Sequence, residues 1–234
     1  MTYRATICIP SNRPLSTCKP FLETASAYAA RQDMALVISD NSGDPEKRRW
    51  FDAAAAHVRY IADAPLDPVA NVLSALDGAA SEFVLLLGDD DTISGEGRYD
   101  FSRVPADIVG IKPRIDLIDA EGRVEQVDSF AVEGADPASR VIEYHRKART
   151  NTTYYSFFRT RELRDVFRLF AGHHPLSAGY SDWSIVYALV AAGRVEHDPG
   201  TVIRYDNGRW GNSDVALKTM LDLHGAAGLP QAAR

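Results

Sequence analysis

Two cysteines in 234 residues, Cys8 in an apolar run and Cys18 ahead of a helix, supply neither a disulfide framework nor a thiolate metal cage. Reduced thiols and a cytoplasmic setting are expected, with peripheral contact at the inner membrane surface left open. No apolar run approaches the roughly 18 residues of a membrane-spanning helix. The opening MTYRATICIP has neither the charged prefix nor the long apolar core of a signal peptide. Basic residues are in the minority, 26 against 32 acidic, so no basic face for nucleic acid is expected and a polyphosphate ligand needs a local cation. Linkers rich in Pro, Gly or Ser are missing, as are internal repeats. One domain over 1–234 is therefore the expectation, and its 45% hydrophobic content suits a soluble globular core.

What the chain does have is FVLLLGDDDT, Phe83 to Thr92. Its apolar run reads as a strand buried on both faces, the habit of parallel α/β sheets. Ligands of such sheets bind outside the carboxyl ends of the strands, where Asp89, Asp90 and Asp91 emerge. Three adjacent carboxylates repel one another unless a cation sits among them, and a hard divalent ion carrying a phosphorylated ligand is the natural guest. A local alternative is that one of them caps a short helix near Thr92 to Glu96, which accounts for one carboxylate and poorly for three.

The first ninety residues alternate strand and helix with short connections, the pattern of βαβ units. Strands are expected at Ala5–Ile9, Met34–Ser39 and Val58–Ile61, and helices at about Pro20–Ala30, from Pro45 to about Ala56, and Pro68–Ala80. Strands one, two and four each end in a polar turn, so Asn12, Arg13, Asp40, Asn41 and the three aspartates are expected around one crevice. Singly, Asn41 is ordinary turn chemistry and Arg13 a solvated charge. Beyond Thr92 the spacing predicts an antiparallel extension: strands Ile108–Ile111, Arg114–Ile118 and Val124–Phe130, with a hairpin through Asp119 to Gly122. A helix near Ser139–Ala148, a strand near Tyr154–Phe158, a helix Glu162–Phe170 and a closing strand Val202–Tyr205 complete the pattern.

Asp182 stands at the mouth of a helix whose Trp183, Val186, Tyr187 and Val190 form an apolar face. A carboxylate there caps the helix, and is also held still enough to act as a general base. His173 and His174 read as surface residues. His197, Asp198, Asp206 and Asn207 flank the closing strand.

Four stretches together resemble the glycosyltransferases of GT-A fold, most closely family 2. TICIPSNRP looks like the opening strand and nucleotide loop, and VISDNSGD like the second strand with its acid for base or ribose. PLDPVANVLSALDGAASEFVLLLGDDD is similar to the helix, strand and DXD metal motif, and YSDWSIVYALVAAGRVEHDPGTVIRYDN to the acceptor-side segment. The resemblance covers Thr6 to about Trp210. It implies an α/β GT-A fold: a Rossmann-like nucleotide-binding half over about 1–100, an acceptor-side half over about 101–215, and a C-terminal helix and tail over about 213–234.

It further implies a non-processive hexosyltransferase-like enzyme moving a sugar from a nucleoside diphosphate sugar to a hydroxyl of a glycan, lipid-linked or small acceptor, with homodimerisation an option. Pro10, Ser11, Asn12, Arg13, Asp40, Asn71, Asp89 and Asp90 would then line the nucleotide site, and Asp182 would be the base of an inverting reaction. Asp89, Asp90, Asp91 and Asn207 would hold Mn²⁺ or Mg²⁺. The chain departs from the family at Ser181, where Glu is common, and at Asp206 or Asn207, where a metal-binding His is usual. Asp206, Arg209 and Trp210 match the spacing of QXXRW without its Gln. Competing expectations are a non-catalytic sugar-nucleotide-binding protein of the same fold and a nucleotidyltransferase, though SNRPLST lacks the glycines and lysine of the latter. A receiver domain would leave half the chain unexplained and would need Lys112, ahead of Pro113, as its conserved-type lysine.

Overall fold

The computed structural model describes residues 3–53, 55–97, 99–119, 121–173 and 181–206, with 218 and 221. Among them nine strands form one sheet: β1 (Thr6–Ser11), β2 (Ala35–Asp40), β3 (Val58–Ile61), β4 (Phe83–Leu86), β5 (Thr92–Gly95), β6 (Ile108–Ile118), β7 (Val124–Asp128), β8 (Phe157–Arg159) and β9 (Arg194–Asp206). Their order is β3-β2-β1-β4-β8-β6-β9-β5, with β7 paired to β6. β1 runs parallel to β2 and β4, and β2 to β3, so their carboxyl ends share one edge. Six helices cover the sheet: α1 (Leu15–Arg31), α2 (Pro45–Phe51), α3 (Pro68–Asp77), α4 (Pro137–Lys147), α5 (Thr160–His173) and α6 (Ser181–Ala192).

Alternation along the strands makes two cores. Ile7, Ile9, Leu36, Ile38 and Leu85 face α1 and α2, while Cys8, Val37, Val84 and Leu86 face α3 to α6. On α1 the buried Cys18, Leu22, Ala25 and Tyr28 recur at helical spacing and supply the matching stripe. Local chemistry starts the helices: Asp44 accepts from Glu46 N ahead of Pro45, and Asp67 from Ala70 N ahead of Pro68. Among the described residues no helix is long and apolar enough to cross a membrane, and both cysteines are buried free thiols.

Several boundaries differ from expectation for identifiable reasons. β1 continues through Pro10 to Ser11, because the missing N–H of Pro10 points to the β4 side beyond the last pair, Cys8 with Leu86. α1 begins at Leu15 and contains Pro20; Pro20 and Ser16 both lie on the exposed face, where water can satisfy the orphaned carbonyl. The break expected at Pro113 is absent. There β9 skips register, Pro113 pairing with Asp198 and Arg114 with Val202, and the bulge absorbs the proline. The extension is also mixed rather than antiparallel, since β6 and β9 run parallel while β7 and β8 run antiparallel to β6. The segment after Asp91 is the strand β5, paired with β9, and not a short helix. Tyr154 belongs to a 3₁₀ turn, Thr152–Tyr155, with β8 following.

Lys112 is wholly buried on β6. Its ammonium donates to Thr152 Oγ1 at 3.1 Å, lies 3.7 Å from an Asp128 oxygen, and stands 5.0 Å from the centroid of the Phe130 ring. Thr152 in turn donates to Asp128. Burial, opposed by Asp128, lowers the Lys112 pKa from 10.5 to about 8. Between those values the unfolded chain holds a proton that the folded chain has released, so this group makes folding more favourable as pH rises across the window. In denaturant titrations the stability of the wild type relative to Lys112→Met is therefore expected to grow from pH 8 to pH 10.5. A constant difference would mean that Lys112 titrates as an exposed lysine.

Candidate functional site

At the carboxyl edge, Ser11 is in register with Asp40, and Asp89 comes after Leu87 and Gly88 beyond the end of β4. One buried cation ties these ends together. Lys47, fully buried in α2, donates to Asp40 Oδ1 at 2.8 Å, Ser11 Oγ at 2.5 Å and the Arg13 carbonyl at 3.0 Å. All three ammonium protons are thereby used. Ser11 Oγ passes the connection on, donating to Asp89 Oδ2 at 2.6 Å.

A second cation holds the aspartates. Arg13 donates through Nη1 to Asp89 Oδ1, through Nη2 to Asp90 Oδ2 at 2.6 Å, and through its backbone N to Asp89 Oδ2 at 3.3 Å. Burial opposes the guanidinium charge, but the attraction of Asp89 and Asp90 outweighs it and raises the Arg13 pKa. Gly88 makes the tight fold of this corner possible, since a Cβ there would meet Asp91 Oδ2 at 2.6 Å and Asp90 Oδ1 at 2.7 Å.

Asp40 is 2% exposed and accepts four hydrogen bonds: Lys47 and Ser42 N on Oδ1, Tyr60 OH at 2.6 Å and Ser42 Oγ on Oδ2. Its acceptor capacity is filled from within. Tyr60 stacks on Phe51 with ring centroids 4.6 Å apart, and its pKa is pushed up by burial and then by Asp40. Beside them opens a cavity of about 130 Å³ lined by Asp40, Gly43, Asp44, Arg48, Tyr60 and Asp63. Asn71 in α3 is 4% exposed, and its buried amide oxygen has no hydrogen-bond partner among the described residues. Asn12 is exposed at the rim and Pro10 half-buried within β1.

The first turn of α6 meets this edge through the Thr152–Tyr155 turn. Asp182, half-buried in the first turn of α6, accepts from Asn151 Nδ2 at 3.1 Å, and Asn151 Oδ1 accepts from Tyr144 OH. Burial raises the Tyr154 pKa with Asp182 adding to it, whereas Tyr155 is raised by burial and then by Asp91. The turn packs on both α6 and β4, so it stands between the helix that carries Asp182 and the strand that leads to the aspartates. Tyr205 packs on Tyr155 at 5.4 Å, and Thr92 pairs with Arg204, which brings the end of β9 to the residue after Asp91.

Expected residues are thus sorted by the fold. Ser11, Arg13, Asp40, Asp89 and Asp90 are brought into contact or linked through Lys47. His197 instead bonds Ser129 Oγ at 2.7 Å, and Asp198 accepts from Gly200 N and Thr201 Oγ1 in its own bulge. His173 is an exposed residue at the end of α5. His174, Asn207, Arg209 and Trp210 lie outside the described residues, as does the side chain of Asp206. Lys47, Tyr60, Asn151 and Tyr155 were not anticipated. Lys47 sits in the run EKRRW, which reads as a solvated charged face; only its place three residues after the Asp44 cap turns it toward the strand ends.

The arrangement does not fit Mn²⁺ or Mg²⁺ as it stands. Asp89 has three donors on its two oxygens, Asp90 Oδ2 is taken by Arg13, and among the described residues no group of three or more His, Cys, Asp or Glu side chains is placed to hold a metal.

No protein-family model matches the chain, and no curated protein matches its sequence. Solved structures do. The crystal structure of S. aureus TarS 1-349 aligns with 100% of this chain and 68% of its own at 17% identity and a TM-score of 0.58. TarS 1-349 in complex with UDP-GlcNAc aligns over 97% and 65% at 16% identity and 0.57, and its complex with UDP over 88% and 61% at 15% identity and 0.55. In both complexes the chain spans less than two thirds of the matched structure. Likeness at these identities speaks for architecture, and on that ground the mixed sheet with its two helical layers is the GT-A glycosyltransferase fold that the sequence resemblance implied.

Proposed function

We propose that this chain is a glycosyltransferase that moves a sugar from a nucleoside diphosphate sugar to an acceptor hydroxyl, once per encounter. One observation carries it: Ser11, Arg13, Asp40 and Asp89 converge at the ends of parallel strands beside a cavity of about 130 Å³, with a fixed carboxylate, Asp182, one turn away. The architecture is one in which solved relatives hold UDP and UDP-GlcNAc. The cavity beside Tyr60 and Asp40 would take the base, and the unpartnered Asn71 oxygen offers an acceptor for a ligand donor.

In the reaction, Asp182 takes the proton of the acceptor hydroxyl as that oxygen attacks the anomeric carbon. The bond from that carbon to the diphosphate breaks with its electron pair leaving on the phosphate oxygen, and in-line attack inverts the anomeric centre. Asn151, held by Tyr144, keeps the Asp182 carboxylate oriented, and the α6 N-terminus favours its charge. Arg13 and Lys47 are the cations of the donor crevice. No step here is routed through a metal.

A second reading, a sugar-nucleotide-binding protein without turnover, is favoured by the internal saturation of Asp40 and Asp89. Two experiments separate the possibilities. At a hundredfold excess over Kd, a nucleotide that binds only the folded chain adds about 2.7 kcal/mol, or a rise of roughly 5–10 °C in melting temperature for a chain of this size. Among UDP, GDP and ADP at least one is expected to do so; if none does, the donor site is not there. Asp182→Asn is expected to keep that thermal shift while lowering UDP release from UDP-GlcNAc by about 10²–10⁴-fold. Undiminished release would remove Asp182 from its role, and a shift without release in the wild type would favour the binding protein.

A further inference from the structure

The question that the sequence raises at Asp89 to Asp91, which cation relieves their repulsion, has an answer inside the chain. Arg13 presents its fork to two successive carboxylates, Nη1 on Asp89 Oδ1 and Nη2 on Asp90 Oδ2, while its backbone N holds the second Asp89 oxygen at 3.3 Å. Such a two-pronged, charge-assisted contact is among the stronger polar interactions a protein makes. A Mg²⁺ or Mn²⁺ ion bridging Asp89 Oδ1 and Asp90 Oδ2 would take the oxygens that Arg13 holds, at roughly 2.0–2.2 Å. It would also stand against a guanidinium of like charge a few ångströms away. The guanidinium and a metal therefore compete for Asp89 Oδ1 and Asp90 Oδ2.

We propose that Arg13 is a resident counter-ion that competes with divalent metal for Asp89 and Asp90, so that a metal enters only when the guanidinium swings away. The anchoring suits such a swap. The Arg13 backbone is pinned by Lys47 on its carbonyl and by Asp89 on its N–H, whereas its side chain is 30% exposed and Asp90 is 42% exposed. Departure of the side chain therefore leaves β1 and α2 in place.

The test is calorimetric titration of Mn²⁺ into the full chain without nucleotide, using the wild type, Arg13→Met and Arg13→Lys. Arg13→Met is expected to bind Mn²⁺ at least tenfold more tightly than the wild type. Arg13→Lys should fall between them, because one ammonium does not span both carboxylates as the fork does. Adding Asp90→Asn to Arg13→Met should cancel most of the gain, which locates the ion at the pair. Wild-type affinity equal to or above that of Arg13→Met overturns the proposal, as does a gain that survives Asp90→Asn. Should Arg13→Met fail to fold, Arg13→Lys decides: severalfold tighter binding supports competition, and binding equal to the wild type overturns it. Chelation with EDTA is expected to leave the wild-type melting temperature unchanged, and a drop would show that a metal already holds the aspartates. Because these titrations contain no nucleotide, their failure is distinct from a failure of UDP to bind.

Discussion

Everything at the carboxyl edge of the sheet depends on two cations placed among carboxylates that would otherwise drive its strands apart. Lys47 has no contact with solvent, and its three protons reach β2 through Asp40, β1 through Ser11, and the loop after β1 through the Arg13 carbonyl. Removing one partner of such a buried pair costs about 3–5 kcal/mol, because the other charge is left in low dielectric without compensation. Ser11 then couples this pair to Asp89, and Arg13 couples Asp89 to Asp90. The edge is therefore preorganised, with its acids held by cations of the chain itself.

A complementary arrangement supports the Thr152–Tyr155 turn and the start of α6. Lys112 and Asp128 are buried beneath the Thr152–Tyr155 turn, and Thr152 bonds both. Asn151, one residue earlier, orients Asp182, while Tyr155 reaches Asp91. A turn of four residues thus lies between two acidic centres that are far apart in sequence, and its anchor is a charge pair at its own base.

How much of this was legible follows from the range of each interaction. An unbroken apolar run such as Phe83–Leu86 discloses a strand because burial selects residue type locally. Common polar ends on parallel strands then place Arg13, Asp40 and Asp89 together, whereas Ser11 came only with the family resemblance. Lys47 and Arg13 were not legible as counter-ions, since a lysine in EKRRW looks like any solvated charge until the helix is docked. The continuity of β6 through Pro113 was hidden for a similar reason: the bulge that tolerates the proline belongs to β9, and nothing near Pro113 in the chain announces it. Asn151 carries no motif at all; its role comes from the geometry of Tyr144 and Asp182.

The parallel pairing of β6 with β9 also sets a timetable for folding. β6 is complete by mid-chain, yet its long partner comes last among the described strands, and among those strands β5 pairs only with that same partner. Pairings of such sequence separation form slowly, because the intervening chain must be ordered before they contribute. During synthesis the half-sheet from β3 to β4 has every strand it needs, while β5 and one side of β6 remain open edges of the kind that invite association between chains. The residues following the three aspartates are therefore among the last to be secured, and the half-sheet from β3 to β4 is in place well before the corner it is meant to close.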